Sequence, residues 1–158
     1  MNHYLTPADY LPHDAPMLLL EEVLDVTDEH VRCRVNVSRS GVLAPFLDPQ
    51  GNLPGWYALE LMAQTIGVWS GWHRRQSGRT CIELGMVLGS RELVCAEGSL
   101  PHNATLTVEA SLLVQDTRFG SFDCCILIGE ACVASGRVNT FQPTSDELTS
   151  LFAQGEVA

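Results

Sequence analysis

The chain has no lysine. All nine basic residues are arginine, set against 19 acids, for a net charge of −10. That balance excludes nucleic acid and anionic membrane surfaces as partners, because both require clustered positive charge. No apolar run is long enough to cross a bilayer. Met17–Leu20 is far too short, and residues 56–72 fall below the roughly 20 residues a span needs and carry Glu60 and Gln64. The opening, MNHYLTPADYLPHD, has no basic stretch followed by an apolar one, so it does not read as a secretory signal. The six cysteines (33, 81, 95, 124, 125 and 132) form no CxxC pair and no Cys/His spacing suited to a metal. Reduced, mostly buried thiols of a cytoplasmic protein are expected, with no metal. No serine sits in a nucleophile elbow, and no glycine loop is built to cradle phosphate.

What is present is apolar. The 158 residues are 46% hydrophobic, enough for one domain, 1–158, with a substantial core. A short helix is expected over 5–12 and a strand over Met17–Val26. Val31–Val37 alternates apolar and polar residues as a half-buried strand does. Thr27–His30 would close these two strands into a hairpin. Residues 38–54 read as a loop rich in Pro, Gly, Asp and Asn. A long helix is expected from about Gly55 to Gln76, stopped by Ser77-Gly78. Strands follow over Ile82–Val94, Ala104–Gln115, Ser121–Ile128 and Ala131–Phe141. Turns are expected at 100–103, 118–120 and Gly129-Glu130, and a short helix over 146–153. A hairpin, one long buried helix and a meander of strands make an α+β fold. An antiparallel sheet wrapped around one central helix, the hotdog arrangement, satisfies that order. Its strand edges are suited to pairing across a dimer.

Within the apolar helix, WYALELMAQTIGVWSGW, Glu60 stands out. A buried carboxylate must be paired, protonated or used. One role is structural, paired with Arg91 or Arg137; the other is a general acid. Gln64 and Trp56 lie four residues to either side, on or near the same face. Leu53-Pro54-Gly55 starts the helix, where free backbone N–H groups stabilise an oxyanion. The basic cluster Arg74, Arg75 and Arg79 lies at the other end.

Two segments carry a resemblance. Leu11-Pro12-His13-Asp14-Ala15-Pro16-Met17-Leu18-Leu19-Leu20-Glu21-Glu22-Val23 resembles the LPHRxPFLLVDRV opening of β-hydroxyacyl-acyl carrier protein dehydratases. Pro54-Gly55-Trp56-Tyr57-Ala58-Leu59-Glu60-Leu61-Met62-Ala63-Gln64 resembles their PGVLxxEAMAQ helix. The combination looks more narrowly like the dehydratase-like subunits of aryl polyene gene clusters. The resemblance implies that Glu60 is the catalytic carboxylate and that the Gly55 N–H holds the thioester oxygen. It implies that Pro12, His13, Phe46, Trp56 and Gln64 border the acyl substrate. The substrate would be a 3-hydroxyacyl thioester of acyl carrier protein or coenzyme A, and no cofactor would be needed.

The family's histidine sits in a GHFP motif, which this chain lacks. Its counterpart, Pro45-Phe46-Leu47-Asp48-Pro49-Gln50-Gly51-Asn52-Leu53-Pro54, is shorter and has no histidine. In the family, one site combines the histidine of one subunit with the acid of the other. A heterodimer with a histidine-bearing homologue would restore one site; a homodimer would lack the base unless His13 replaced it. A hotdog thioesterase, with Glu60 activating water, and a non-catalytic structural subunit are the alternatives.

Overall fold

The computed structural model describes residues 4–11, 17–77, 86–116 and 119–141, with backbone alone for 86–92. The chain opens with α1 (Pro7–Tyr10), followed by β1 (Glu22–Val26) and β2 (His30–Asn36). A 3-10 turn (Ala44–Phe46) and the two-residue β3 (Leu53–Pro54) lead into α2 (Tyr57–Gln76). Then come β4 (Met86–Cys95), β5 (Ser99–Leu100), β6 (Thr105–Gln115), β7 (Phe119–Ile128) and β8 (Ala131–Phe141). Six strands form one antiparallel sheet in the order β1-β2-β6-β7-β8-β4.

Period-two patterning builds the sheet's inner face. In β2, Val31, Cys33 and Val35 are buried while Arg32 and Arg34 turn outward. The same alternation places Leu106, Val108 and Ala110 of β6 and Phe122, Cys124 and Ile126 of β7 inward. Across this face lies α2, which buries Ala58, Leu61, Met62, Thr65, Ile66, Val68 and Trp69. Trp69 meets Phe122 edge-on at 5.3 Å. The result is the expected hotdog arrangement. On the outer face the polar residues pair across strands. Arg34 bonds Glu22 at 3.0 Å, and Arg137 bonds Asp123 at 3.3 Å.

Several local expectations change. The strand expected from Met17 begins only at Glu22. Phe119 and Gly120, expected in a turn, pair with Phe141 and Thr140 inside the sheet. The loop 38–54 hides β3, which pairs with β5 through Leu53–Leu100 and Pro54–Ser99. Two residues show no periodicity, so nothing local marks such a ladder. Of the five described thiols, only Cys33 and Cys124 are buried; Cys95 and Cys125 are half-buried and Cys132 is exposed. The adjacent Cys124 and Cys125 face opposite sides of the sheet, as the strand period requires. The expected residues 82–85 of the fourth strand and the helix over 146–153 lie outside the described residues.

Gly67 and Gly71 let the N-terminal segment settle on α2. A Cβ at Gly67 would lie 2.6 Å from Leu11 Cδ2, and one at Gly71 only 2.4 Å from the Tyr10 carbonyl oxygen. Arg75 clasps the same segment. Its Nε and Nη2 donate to the Asp9 carbonyl at 3.2 and 2.9 Å, with the guanidinium 5.8 Å from the Tyr10 ring centroid. This cation of the expected basic cluster is therefore engaged within the chain, and Arg79 lies outside the described residues.

Candidate active site

The site grows from the start of α2. The helix begins at Tyr57 with Trp56 as its N-cap and no side-chain cap. Its approach is pinned by the β3–β5 ladder and by the Gly55 N–H, which donates to the Gly98 carbonyl at 2.9 Å. Only glycine fits at 55. A Cβ there would meet Gly98 O at 2.7 Å and Cys95 Sγ at 3.1 Å. The Gly55 N–H, expected to hold the thioester oxygen, donates within this chain to Gly98. The N–H groups of Trp56 and Tyr57 make no hydrogen bond among the described residues, as first-turn donors commonly do not. They are the donors the helix start offers an anion.

Glu60 lies one turn into α2 and is half-buried. Its Oε1 accepts a hydrogen bond from Gln64 Nε2 at 3.1 Å. Gln64 is 1% exposed, and its amide also donates to Met17 O at 2.8 Å and accepts from Leu19 N–H at 2.9 Å. The amide of Gln64, expected to border the substrate, thus has three partners within the chain. The structural pairing of Glu60 with Arg137 is excluded, since Arg137 bonds Asp123 on the outer face. The side chain of Arg91 is outside the described residues, as are Pro12 and His13.

Phe46 and Trp56 come together through a residue the sequence did not single out. The Tyr57 ring lies 5.3 Å from Phe46 and 6.1 Å from Trp56. Trp56 is 75% exposed. Other participants missed from sequence are Gly98, Cys95 and the backbone of Met17 and Leu19. None carried a local signal, because each acts through a distant partner.

The segment where the histidine would stand is a tight turn. Asp48 Oδ1 accepts from Gln50 N–H and Asn52 N–H, both at 2.9 Å, and Gly51 takes a positive φ of 86°. The His102 backbone N–H donates to Asn52 Oδ1 at 2.9 Å from the β5–β6 turn. Nothing in residues 45–54 can act as an imidazole base.

A sheet laid on one helix, with a carboxylate a turn inside that helix, defines a hotdog-fold protein with an acid on its central helix. The comparisons place it further. Residues 5–153 match the family model of the ApeP-like dehydratases, and the chain belongs to that family. It is 48% identical to a chain of the dehydratase heterocomplex ApeI:P from Xenorhabdus doucetiae, with a TM-score of 0.90. That match covers 95% of this chain and 99% of the other. The 3-hydroxyacyl-[acyl-carrier-protein] dehydratase FabZ of Streptococcus uberis is 34% identical over 80 residues, 48% of this chain. The chain spans about half the length of the curated relatives it matches, 55% for that one. A hypothetical thioesterase from Streptococcus pneumoniae, 21% identical with a TM-score of 0.58, covers 77% of this chain and 84% of its own; it shares the fold alone.

Proposed function

We propose that this chain is the acid-bearing subunit of a two-subunit dehydratase acting on 3-hydroxyacyl thioesters, in polyene or fatty-acid-like synthesis. The observation that carries this is a helix acid held by hydrogen bonding to Gln64, in a chain whose turn before that helix contains no histidine. Glu60 would protonate the departing C3 hydroxyl. A histidine of the partner subunit would remove the proton from C2, leaving a trans-2-enoyl thioester and water. The N–H groups of Trp56 and Tyr57 would stabilise charge on the thioester oxygen as C2 loses its proton. Phe46, Tyr57 and Trp56, and the segment of Pro12 and His13, would flank the acyl chain.

Among the described strands, β4 has a neighbour on one side only. Its end exposes Leu93 and Val94, which suits pairing with the partner's sheet. With a net charge of −10, this chain repels an acidic carrier protein at long range, so carrier docking would rest on the partner. Among the described residues, no helix is long and apolar enough to cross a membrane, and the proposed site of action is the cytoplasm.

The test is water loss from a 3-hydroxyacyl carrier thioester, with each subunit alone and with both together. Activity should need both. In the complex, Glu60→Gln should slow turnover by about 100-fold or more, the range set by a positioned general acid. Full activity from this chain alone would sink the two-subunit proposal. A loss below about tenfold for Glu60→Gln would leave a structural, non-catalytic subunit as the answer.

A further inference from the structure

A pair of cysteines on the β7–β8 hairpin takes no part in the proposed dehydration. Plain alternation would turn Cys132 inward, two residues before Ala134, which is 3% exposed. The ladder prevents it. Ile126 pairs with Ala134 but Leu127 pairs with Cys132, so Val133 is an extra residue in β8. Such a bulge shifts the alternation by one. Cys132 therefore faces outward with Leu127 and Cys125, on the side of the sheet away from α2. Its Sγ leans back along the strand and donates to Ala134 O at 3.3 Å. There the Cys132 and Cys125 thiols share a hydrogen bond.

From this pair a row of side chains continues across the sheet. Glu109 of β6 stands opposite Cys125, and Cys125 Sγ donates to Glu109 Oε2 at 3.7 Å. Arg32 of β2 stands opposite Glu109, its Nε 2.9 Å from Oε1 in an ion pair that is not aligned as a hydrogen bond. The two thiols differ. Cys132 is exposed and open to reagents, while Cys125 is half-buried. Burial above all, then the neighbouring Cys132 and Glu109, push the Cys125 thiol up to about 12. It is therefore not the first of the pair to react.

We propose that Cys132 and Cys125 form an oxidation site for hydroperoxides, closed by a disulfide between them with Glu109 as the base. The Cys132 thiolate attacks one peroxide oxygen and the O–O bond breaks. The other oxygen leaves as water or an alcohol, carrying the proton that Cys132 gave up, and Cys132 becomes a sulfenic acid. Cys125 then passes its proton to Glu109 and attacks the Cys132 sulfur. The S–O bond breaks, and the hydroxyl leaves as water with that proton. The two sulfurs lose the two electrons that the hydroperoxide gains. A thiol reductant reopens the pair. None of this depends on the reading of Glu60.

The test treats the full chain with hydrogen peroxide, blocks free thiols with iodoacetamide and maps the products without reduction. Cleavage after arginine and glutamate leaves Cys125 in residues 119–130 and Cys132 in residues 131–137. The two peptides should come linked, lighter than their sum by the two thiol hydrogens, and should separate with dithiothreitol. Residues 119–130 also hold Cys124, so the link should persist in Cys124→Ala. It should vanish in Cys125→Ser, where a cyclic 1,3-diketone should trap the sulfenic acid on Cys132. Glu109→Gln should slow closure at least about tenfold, the low end of what a positioned base supplies. Cys132→Ser changes an exposed position, so it tests the order of events in a folded chain: Cys125 should then resist the peroxide. Unlinked peptides in the native chain, with Cys132 driven on to sulfinic acid, overturn the proposal. So does a link through Cys124, or one joining Cys132 of two chains. Sulfenic acid on Cys125 in Cys132→Ser overturns the order of attack, and native closure in Glu109→Gln overturns the part given to Glu109.

Discussion

Gly67 and Gly71 lie one turn apart on α2, both beneath the N-terminal segment, yet alanine should act differently at each. In a helix interior, alanine is favoured over glycine by about 1 kcal/mol. Against that gain stands whatever the new methyl meets. At Gly71 it would lie 2.4 Å from the Tyr10 carbonyl oxygen, 2.9 Å from Tyr10 Cβ and 3.0 Å from the Tyr10 carbonyl carbon. That backbone cannot retreat freely, because Arg75 holds the neighbouring Asp9 carbonyl and Leu11 N–H bonds Pro7 O at 3.2 Å. Overpacking of this kind costs about 1–3 kcal/mol, leaving a net loss of up to about 2 kcal/mol. For a chain of this size a loss of about 2 kcal/mol lowers Tm by about 4–8 °C. At Gly67 the only close atom among the described residues is the terminal methyl Cδ2 of Leu11, at 2.6 Å. A rotamer adjustment costs about 0.5–1.5 kcal/mol, so the gain and the cost nearly cancel. Thermal unfolding of Gly67→Ala and Gly71→Ala, alone and with the partner, measures the difference. Equal Tm for the two variants, or a higher Tm for Gly71→Ala than for the native chain, would refute the packing described for α1.

Gly55→Ala should cut turnover of the complex at least about tenfold and lower Tm as well, because its Cβ would press on the Gly98 carbonyl and move the helix start; native turnover would show that this contact does not position the site. Burial pushes the thiols of Cys33 and Cys124 up to about 12. A Thr65 hydrogen bond partly offsets this for Cys33, and Asp123 and Cys125 add to it for Cys124. At pH 8 iodoacetamide should therefore modify exposed Cys132 and leave Cys33 and Cys124 intact in the folded chain, as mass mapping would read. The folded state keeps these protons after unfolded thiols, with an ordinary value of 9.0, have lost theirs. The stability they contribute is complete below about pH 9 and declines as pH rises toward 12. A urea midpoint that falls between pH 8 and pH 10, and falls less in a Cys33→Ala, Cys124→Ala chain, is the expected result; equal slopes in both chains would contradict it.

Periodicity is a local property, and what it reports was legible without coordinates. The alternation in Val31–Val37 placed β2's inner face, and the apolar run from Trp56 placed α2, because burying or exposing a side chain is settled largely residue by residue. Glu60 and Gln64 fell on one helix face for the same reason, and their hydrogen bond follows from a spacing of four. The absence of a histidine from residues 45–54 needed no structure either. Pairing is another matter, because it depends on which distant groups arrive together. The Gly55 N–H carried no mark that Gly98 would claim it, and two-residue strands have no period to detect. Nothing around Gln64 in sequence showed that the fold would bring Leu19, 45 residues away, to its oxygen. Nor did the basic cluster at the end of α2 show that Asp9, 66 residues from Arg75, would engage it. Side-chain chemistry and spacing singled out Glu60; long-range backbone contacts decided which of the polar groups around it are already bonded within the chain.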